Sequence, residues 1–101
     1  MDRVIKYALT FPVFDGKRRE CVIRVPRKDG EPVAWLAFER DPQENLCVWT
    51  ICQPEETDME HVLHLVYTGD YVPDDWQWIH SFVERDSNGF VTGITAHLFE
   101  E

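Results

Sequence analysis

The sequence predicts an all-β domain, mainly antiparallel, with about seven strands folded as a small sandwich or partly open barrel. Three observations carry this. Turn signals recur at short intervals, the residues between them are β-branched or aromatic rather than helix-forming, and Asn88-Gly89 sits between two aromatic-rich runs. A chain of 101 residues suffices for one hydrophobic core and not two, so residues 1–101 read as a single β domain with no linker.

Taken in order, the first strand covers Val4 to Phe11 and the second Glu20 to Val25, with Asp15-Gly16 between them as a hairpin turn. Asp29-Gly30 and Pro32 break the chain before a third strand, Val33 to Arg40. That strand is apolar on both alternating faces, which predicts a central or doubly covered position. Asp41 to Asn45 forms a polar turn into a fourth strand, Leu46 to Cys52, again apolar on both faces. The acidic stretch after Pro54 has room for at most one short helical turn, near 55–61 or near 73–76, because Asp and Glu suit a helix N-terminus. Val62 to Tyr67 is the fifth strand, and Thr68-Gly69-Asp70 and Pro73-Asp74-Asp75 are turns. Trp76 to Glu84 and Phe90 to Phe99 form a closing hairpin. Period-two alternation puts Trp76, Trp78, His80 and Phe82 on one face of its first arm, and Phe90, Thr92, Ile94, Ala96 and Leu98 on one face of the second.

The net charge of -9 opposes direct binding to nucleic acid or to an anionic membrane. Its distribution is uneven: residues 1–40 hold nine bases and six acids, residues 41–101 one base and thirteen acids. The acids gather at Glu55, Glu56, Asp58 and Glu60, then at Asp70, Asp74 and Asp75, and again at Glu100 and Glu101. Such acids either keep loops solvated or form a face for a basic partner, with the aromatics Tyr67, Tyr71, Trp76 and Trp78 as candidates for a binding face beside them. The basic residues Lys17, Arg18, Arg19, Arg24, Arg27 and Lys28 are the one place where an anion would be welcomed, or else they discourage strand pairing at an edge.

Cys21, Cys47 and Cys52 lie in apolar stretches with no Cys-x-x-Cys pair, which fits reduced, buried thiols in a cytoplasmic protein. No signal-peptide pattern or membrane-length apolar run is present. In a strand, His61 and His64 point to opposite faces, so no metal site is expected; only a helix would align them with Asp58. No Gly-x-Ser-x-Gly, phosphate loop or activated Cys is present, so neither enzymatic activity nor a cofactor is expected.

Lys6-Tyr7, Val48-Trp49, Thr68-Gly69, Pro73 and His97-Leu98-Phe99-Glu100 occur in an order that resembles a family of short, uncharacterised proteins of tailed bacteriophages and prophages. Its members look like a small β-domain with Lys-Tyr, Leu-Trp, Gly-Thr-Gly, Pro and His-x-Phe-Glu marks. Here Tyr67 stands for the first Gly, Val48 for Leu, and Trp78-Ile79-His80-Ser81 where Tyr-Ile-Gly-Thr is usual. The resemblance implies action in the host cytosol by binding a host component.

Three functions then compete. One is a blocker of a host protein, an anti-CRISPR-like counter-defence inhibitor of a nucleic-acid-handling effector, acting through the acids from Glu55 to Asp75. Another is a homo-oligomeric sponge for a nucleotide signal, with Arg18, Arg19, Arg24 or Arg27 on phosphates and Trp76 stacking a base. The third is a virion or assembly component.

Overall fold

A computed structural model describes residues 1–11 and 19–101. It contains seven strands: β1 Arg3–Ala8, β2 Glu20–Pro26, β3 Ala34–Arg40, β4 Leu46–Cys52, β5 Asp58–Tyr67, β6 Gln77–Arg85 and β7 Val91–Glu100. They form two antiparallel sheets, a three-stranded one in the order β1-β4-β3 and a four-stranded one in the order β2-β5-β7-β6, packed as a sandwich that does not close into a barrel. The extents of 40 × 30 × 20 Å suit two layers about 10 Å apart with their outer side chains.

Each strand forms where the alternating apolar pattern placed it, and the inward residues meet between the sheets. Val25, Val48, Cys52, Leu63, Ala96 and Leu98 are fully buried there. Thr50, the buried polar residue on the same face, donates its hydroxyl to the Ala34 carbonyl at 2.8 Å. The acidic stretch holds no helix: Glu56 N–H bonds Gln53 O and Trp76 N–H bonds Pro73 O, each closing a single turn. β5 therefore starts at Asp58, four residues before the expected Val62.

The first hairpin is a correction. β1 pairs with β4 and β2 with β5, so the two strands belong to different sheets. Asp15-Gly16 lies outside the described residues. The chain leaves β1 still alongside β4, with Leu9 N–H bonded to Leu46 O, then buries Leu9 and packs Phe11 on the core as it crosses between layers.

β3 is also corrected, because it is an edge strand and β4 is the central one. Its doubly apolar pattern comes from a bulge between Trp35 and Ala37. One extra residue reverses the alternation, so Val33, Trp35 and Phe38 all pack inward while Leu36 is 44% exposed.

Two further irregularities break the faces expected of the last hairpin. A shift between Trp78 and His80 sends Trp78 outward, puts Ile79 in the core and leaves Phe82 inward. On β7, Thr92, Gly93 and Ile94 together oppose Glu84 alone, and Thr92 Oγ1 bonds both Glu84 O and Ile94 N–H. Gly93 carries φ 85° there, and Ile94 ends up exposed while Ala96 and Leu98 are buried. The turn itself needs one left-handed residue, Gly89 at φ 83°, while Asp86 caps Asn88 and Phe90 N–H groups.

Two outcomes follow from this geometry. Gly93→Ala forces an L-residue into the left-handed region and should cost about 1–2 kcal/mol by urea unfolding. In the β3–β4 turn, burial would raise the Asp41 carboxyl, but the N–H groups of Asn45 and Gln43 and the Lys6 ammonium outweigh it and hold it below 3.8. A lowered folded pKa stabilises above the unfolded value and loses that contribution as pH falls through the folded one. Asp41→Asn should therefore be less stable at neutral pH, with the difference closing as unfolding is measured below 3.8.

Candidate functional site

The sandwich is held together at one end by contacts from β2 and β3. Gln53 N–H bonds Pro26 O at 2.7 Å, Arg27 Nη1 bonds Ile51 O at 2.8 Å, and the Trp35 indole meets the His61 ring edge-on at 5.7 Å. Segments 1–3, 26–33, 53–58, 73–76 and 100–101 all reach this end, and in sequence they carry ten acids against Arg3, Arg27 and Lys28. Glu55, Glu56, Asp58, Asp74 and Asp75 are among them, exposed. Glu60 lies two residues further along β5, on Arg24 at 2.9 Å. Asp70 is at the opposite end, where it accepts the Tyr67 N–H at 2.9 Å and stands 4.0 Å from Arg19.

The charge imbalance between the two parts of the sequence is thus partly neutralised in the fold. Lys6–Asp41, Arg19–Asp70, Arg24–Glu60 and Arg40–Glu84 each join a base from residues 1–40 to an acid beyond them. What remains is an excess of acid at one end of the sandwich.

A cleft of about 400 Å³ opens at that end between the sheets, lined among others by Glu31, Trp35, His61, Asp75, Trp78, Glu100 and Glu101. His61 Nδ1–H donates to Glu100 Oε2 at 2.5 Å, and both side chains are largely buried. Glu101 lies 3.7 Å from His64 Nε2. Among the described residues no group of three or more His, Cys, Asp and Glu is placed to hold a metal ion. Of the lining, Asp75 and Trp78 were expected site residues. Trp35 and His61 carried no local signal, because they come from different sheets and meet only when these pack. Glu100 and Glu101 were visible as terminal acids without an assigned place.

The outer face of the four-stranded sheet holds a second polar cluster. Trp78 Nε1–H donates to Ser81 Oγ at 2.8 Å, the same hydroxyl shares a hydrogen bond with His97 Nδ1 at 2.6 Å, and His97 Nε2 faces Thr68 Oγ1 at 3.3 Å. The group behind His97 is the Thr68 hydroxyl rather than a carboxylate. Beside it Trp76 lies flat on His64, centroids 3.7 Å apart at 13°. The expected aromatic face is therefore divided: Trp78 is 60% and Tyr71 100% exposed, while Trp76 is occupied by His64 and the Tyr67 ring by Arg19 at 4.6 Å.

Among the described residues the alternative anion site is not brought together. Arg18 lies outside the described residues, while Arg19 and Arg27 flank the two ends of β2, about 26 Å apart along an extended strand. Arg24 is on Glu60, and Arg27 lies in the acidic end beside Glu31 at 3.5 Å. Burial and the Asp41 carboxylate push the Cys47 thiol up, which opposes thiolate chemistry there. Among the described residues no helix is long and apolar enough to cross a membrane.

Trp76→Ala should uncover His64 and lower stability by about 2–4 kcal/mol, whereas Tyr71→Ala should stay within about 0.5 kcal/mol, both read from urea midpoints at constant m.

A family model described as "Domain of unknown function (DUF7352)" matches residues 1–101. No curated protein and no solved structure matches the chain.

Proposed function

We propose that this chain, which belongs to the DUF7352 family over residues 1–101, is a non-enzymatic binding protein that blocks a partner protein through its acidic end. The observation that carries the reading is the excess of ten acids over three bases in the segments meeting there, in a chain of net charge -9. Surface ion pairs at a protein's rim add little affinity singly, yet a one-sign field of this size steers a basic partner into place and rejects acidic ones. The complementary target is a protein whose working surface is basic, as in an effector that handles nucleic acid. The phage-like order of marks from Lys6-Tyr7 to His97-Leu98-Phe99-Glu100 supports placing that target in a bacterial host, where such blocking is a counter-defence role.

The test is affinity capture from host extract at rising salt, comparing the native chain with the triple variant Glu55→Lys, Glu56→Lys, Asp58→Lys. The captured protein should be basic, its retention should fall steeply between about 0.05 and 0.3 M salt as the Debye length shrinks, and the variant should retain at least about tenfold less. Capture that is indifferent to salt and to the reversal would sink the reading, provided circular dichroism shows the variant folded.

A further inference from the structure

We propose that the outer face of the three-stranded sheet is the contact surface of a homodimer, formed when that face of one copy meets the same face of a second. The contact goes beyond the blocking role above and stands without it. In an antiparallel sandwich each sheet buries one face and solvates the other, so its strands should read apolar inward and polar outward. β1, β4 and β3 break that rule. Tyr7, Val48 and Phe38 form one row across the three strands and pack inward, and from the same register Val4, Trp49, Ile51, Ala34 and Ala37 point outward. The bulge adds Leu36 beside them. Val4 is 63% and Leu36 44% exposed, and they flank β4 about 10 Å apart. The outer face of the other sheet is polar by contrast, with Arg24 on Glu60 and Ser81 on His97.

Charge and shape select a second copy as the occupant. The chain has a net charge of -9, yet among the described residues the charged side chains on this face and around its hollow balance, with Lys6 and Arg40 against Glu39 and Asp41. Lys6 closes on Asp41 at 3.1 Å, and Cys47, on the outer side of β4, is fully buried against that carboxylate. A balanced face exerts no field to steer the basic partner that the acidic end suits, and it lets two acidic copies meet without opposing like charges. Val4 and Leu36 stand at the rim of a hollow of about 460 Å³ whose lining includes Ala37, Pro42 and Trp49. A two-fold axis through the face brings the protruding side chains of each copy to the hollow of the other, the self-complementary contact of an isologous dimer. Strands of seven residues, three abreast, give a footprint of about 23 Å by 14 Å. Two such footprints lie at the small end of specific interfaces, for which about 1,200 Å² in total is a usual minimum, so the dimer forms and parts with concentration.

The purified full chain would be followed by sedimentation velocity from about 10 µM to about 1 mM, in salt of about 0.05 M and about 0.5 M. The expected result is a mass that rises with concentration from 11.9 kDa towards twice that value. Repulsion between two chains of net charge -9 is screened by salt, so the dimer should tighten as salt rises, opposite in sign to the capture described above. Leu36→Glu and Val4→Glu each place a charge on the face at a position that is already exposed, so circular dichroism should show an intact fold while the dimer weakens about tenfold or more. Ile94→Glu, at a 54% exposed position on the four-stranded sheet, should leave it unchanged. Heteronuclear NMR should show the Trp49 indole N–H signal moving on dilution while that of Trp78 stays in place. A monomer at about 1 mM in both salts overturns the proposal, and so does a dimer that neither Leu36→Glu nor Val4→Glu weakens. A monomeric chain that captures a host protein indifferently to salt and loses it with Leu36→Glu assigns the face to a different protein and overturns the homodimer too. Because sedimentation uses the chain alone, its failure leaves salt-sensitive capture by the acidic end untouched, and loss of that capture leaves the dimer untouched.

Discussion

The insertion of β7 between β5 and β6 is the constraint on which the surface of this protein depends. β5 and β6 run parallel with a strand between them, so residues 68–76 cannot make a hairpin and must return from the level of Tyr67 to that of Gln77. The return runs about 14 Å along the sheet and lies over its outer face. There it brings Trp76 down onto His64. It also delivers Asp74 and Asp75 to the end where the tips of β2, β4 and β7 already converge. A direct β5–β6 hairpin would have left those acids in a turn and His64 open to water.

That constraint explains why strands were readable in the sequence while their faces and neighbours were not. Strand existence is local: Leu46 to Cys52 was bounded as the structure has it, and β2, β3, β6 and β7 within one residue or so at each end. The face that a residue presents depends on register, and one inserted residue reverses it. The bulge at Trp35–Ala37 made an edge strand look like a central one, and the shift at Trp78–His80 split four residues expected on one face. Gly93 was the available signal for the third irregularity, since a lone glycine inside a strand pattern marks a bulge. Strand order had no such signal. The Asp15-Gly16 turn chemistry suggested pairing of β1 with β2, yet long-range packing of Leu9 and Phe11 sends the chain to the other sheet.

The candidate site was legible to the same degree. Acid clusters at 55–60 and 74–75 were plain in the sequence, and most of them do meet at one end. Their companions were hidden, because Trp35 and His61 belong to opposite layers and a sequence does not show which strands stack. Charge shows the same division. The excess of base in residues 1–40 and of acid beyond them suggested a molecule with two charged halves, but four cross-pairs in the fold mix the halves. The asymmetry that survives runs along the sandwich axis instead, between the two sets of loops.

An acidic end of this kind carries an energetic tension that decides how it can be used. Like charges within about 8 Å, the Debye length at physiological salt, repel and lower the stability of the fold that gathers them. Exposure to water limits the penalty for Glu55, Glu56 and Asp58, which stand in solvent with high dielectric around them. Glu100 lies deeper and is relieved by His61, and Glu101 less well by His64 at 3.7 Å. A cationic partner therefore gains twice, from its own attraction and from the repulsion it removes, and the gain per charge is greater in the cleft than on the open loops because the dielectric there is lower. Salt acts oppositely on the two states, relieving repulsion in the free protein and screening attraction in the complex. Loops of exposed acid at this end therefore suit reversible docking, weakened as salt rises.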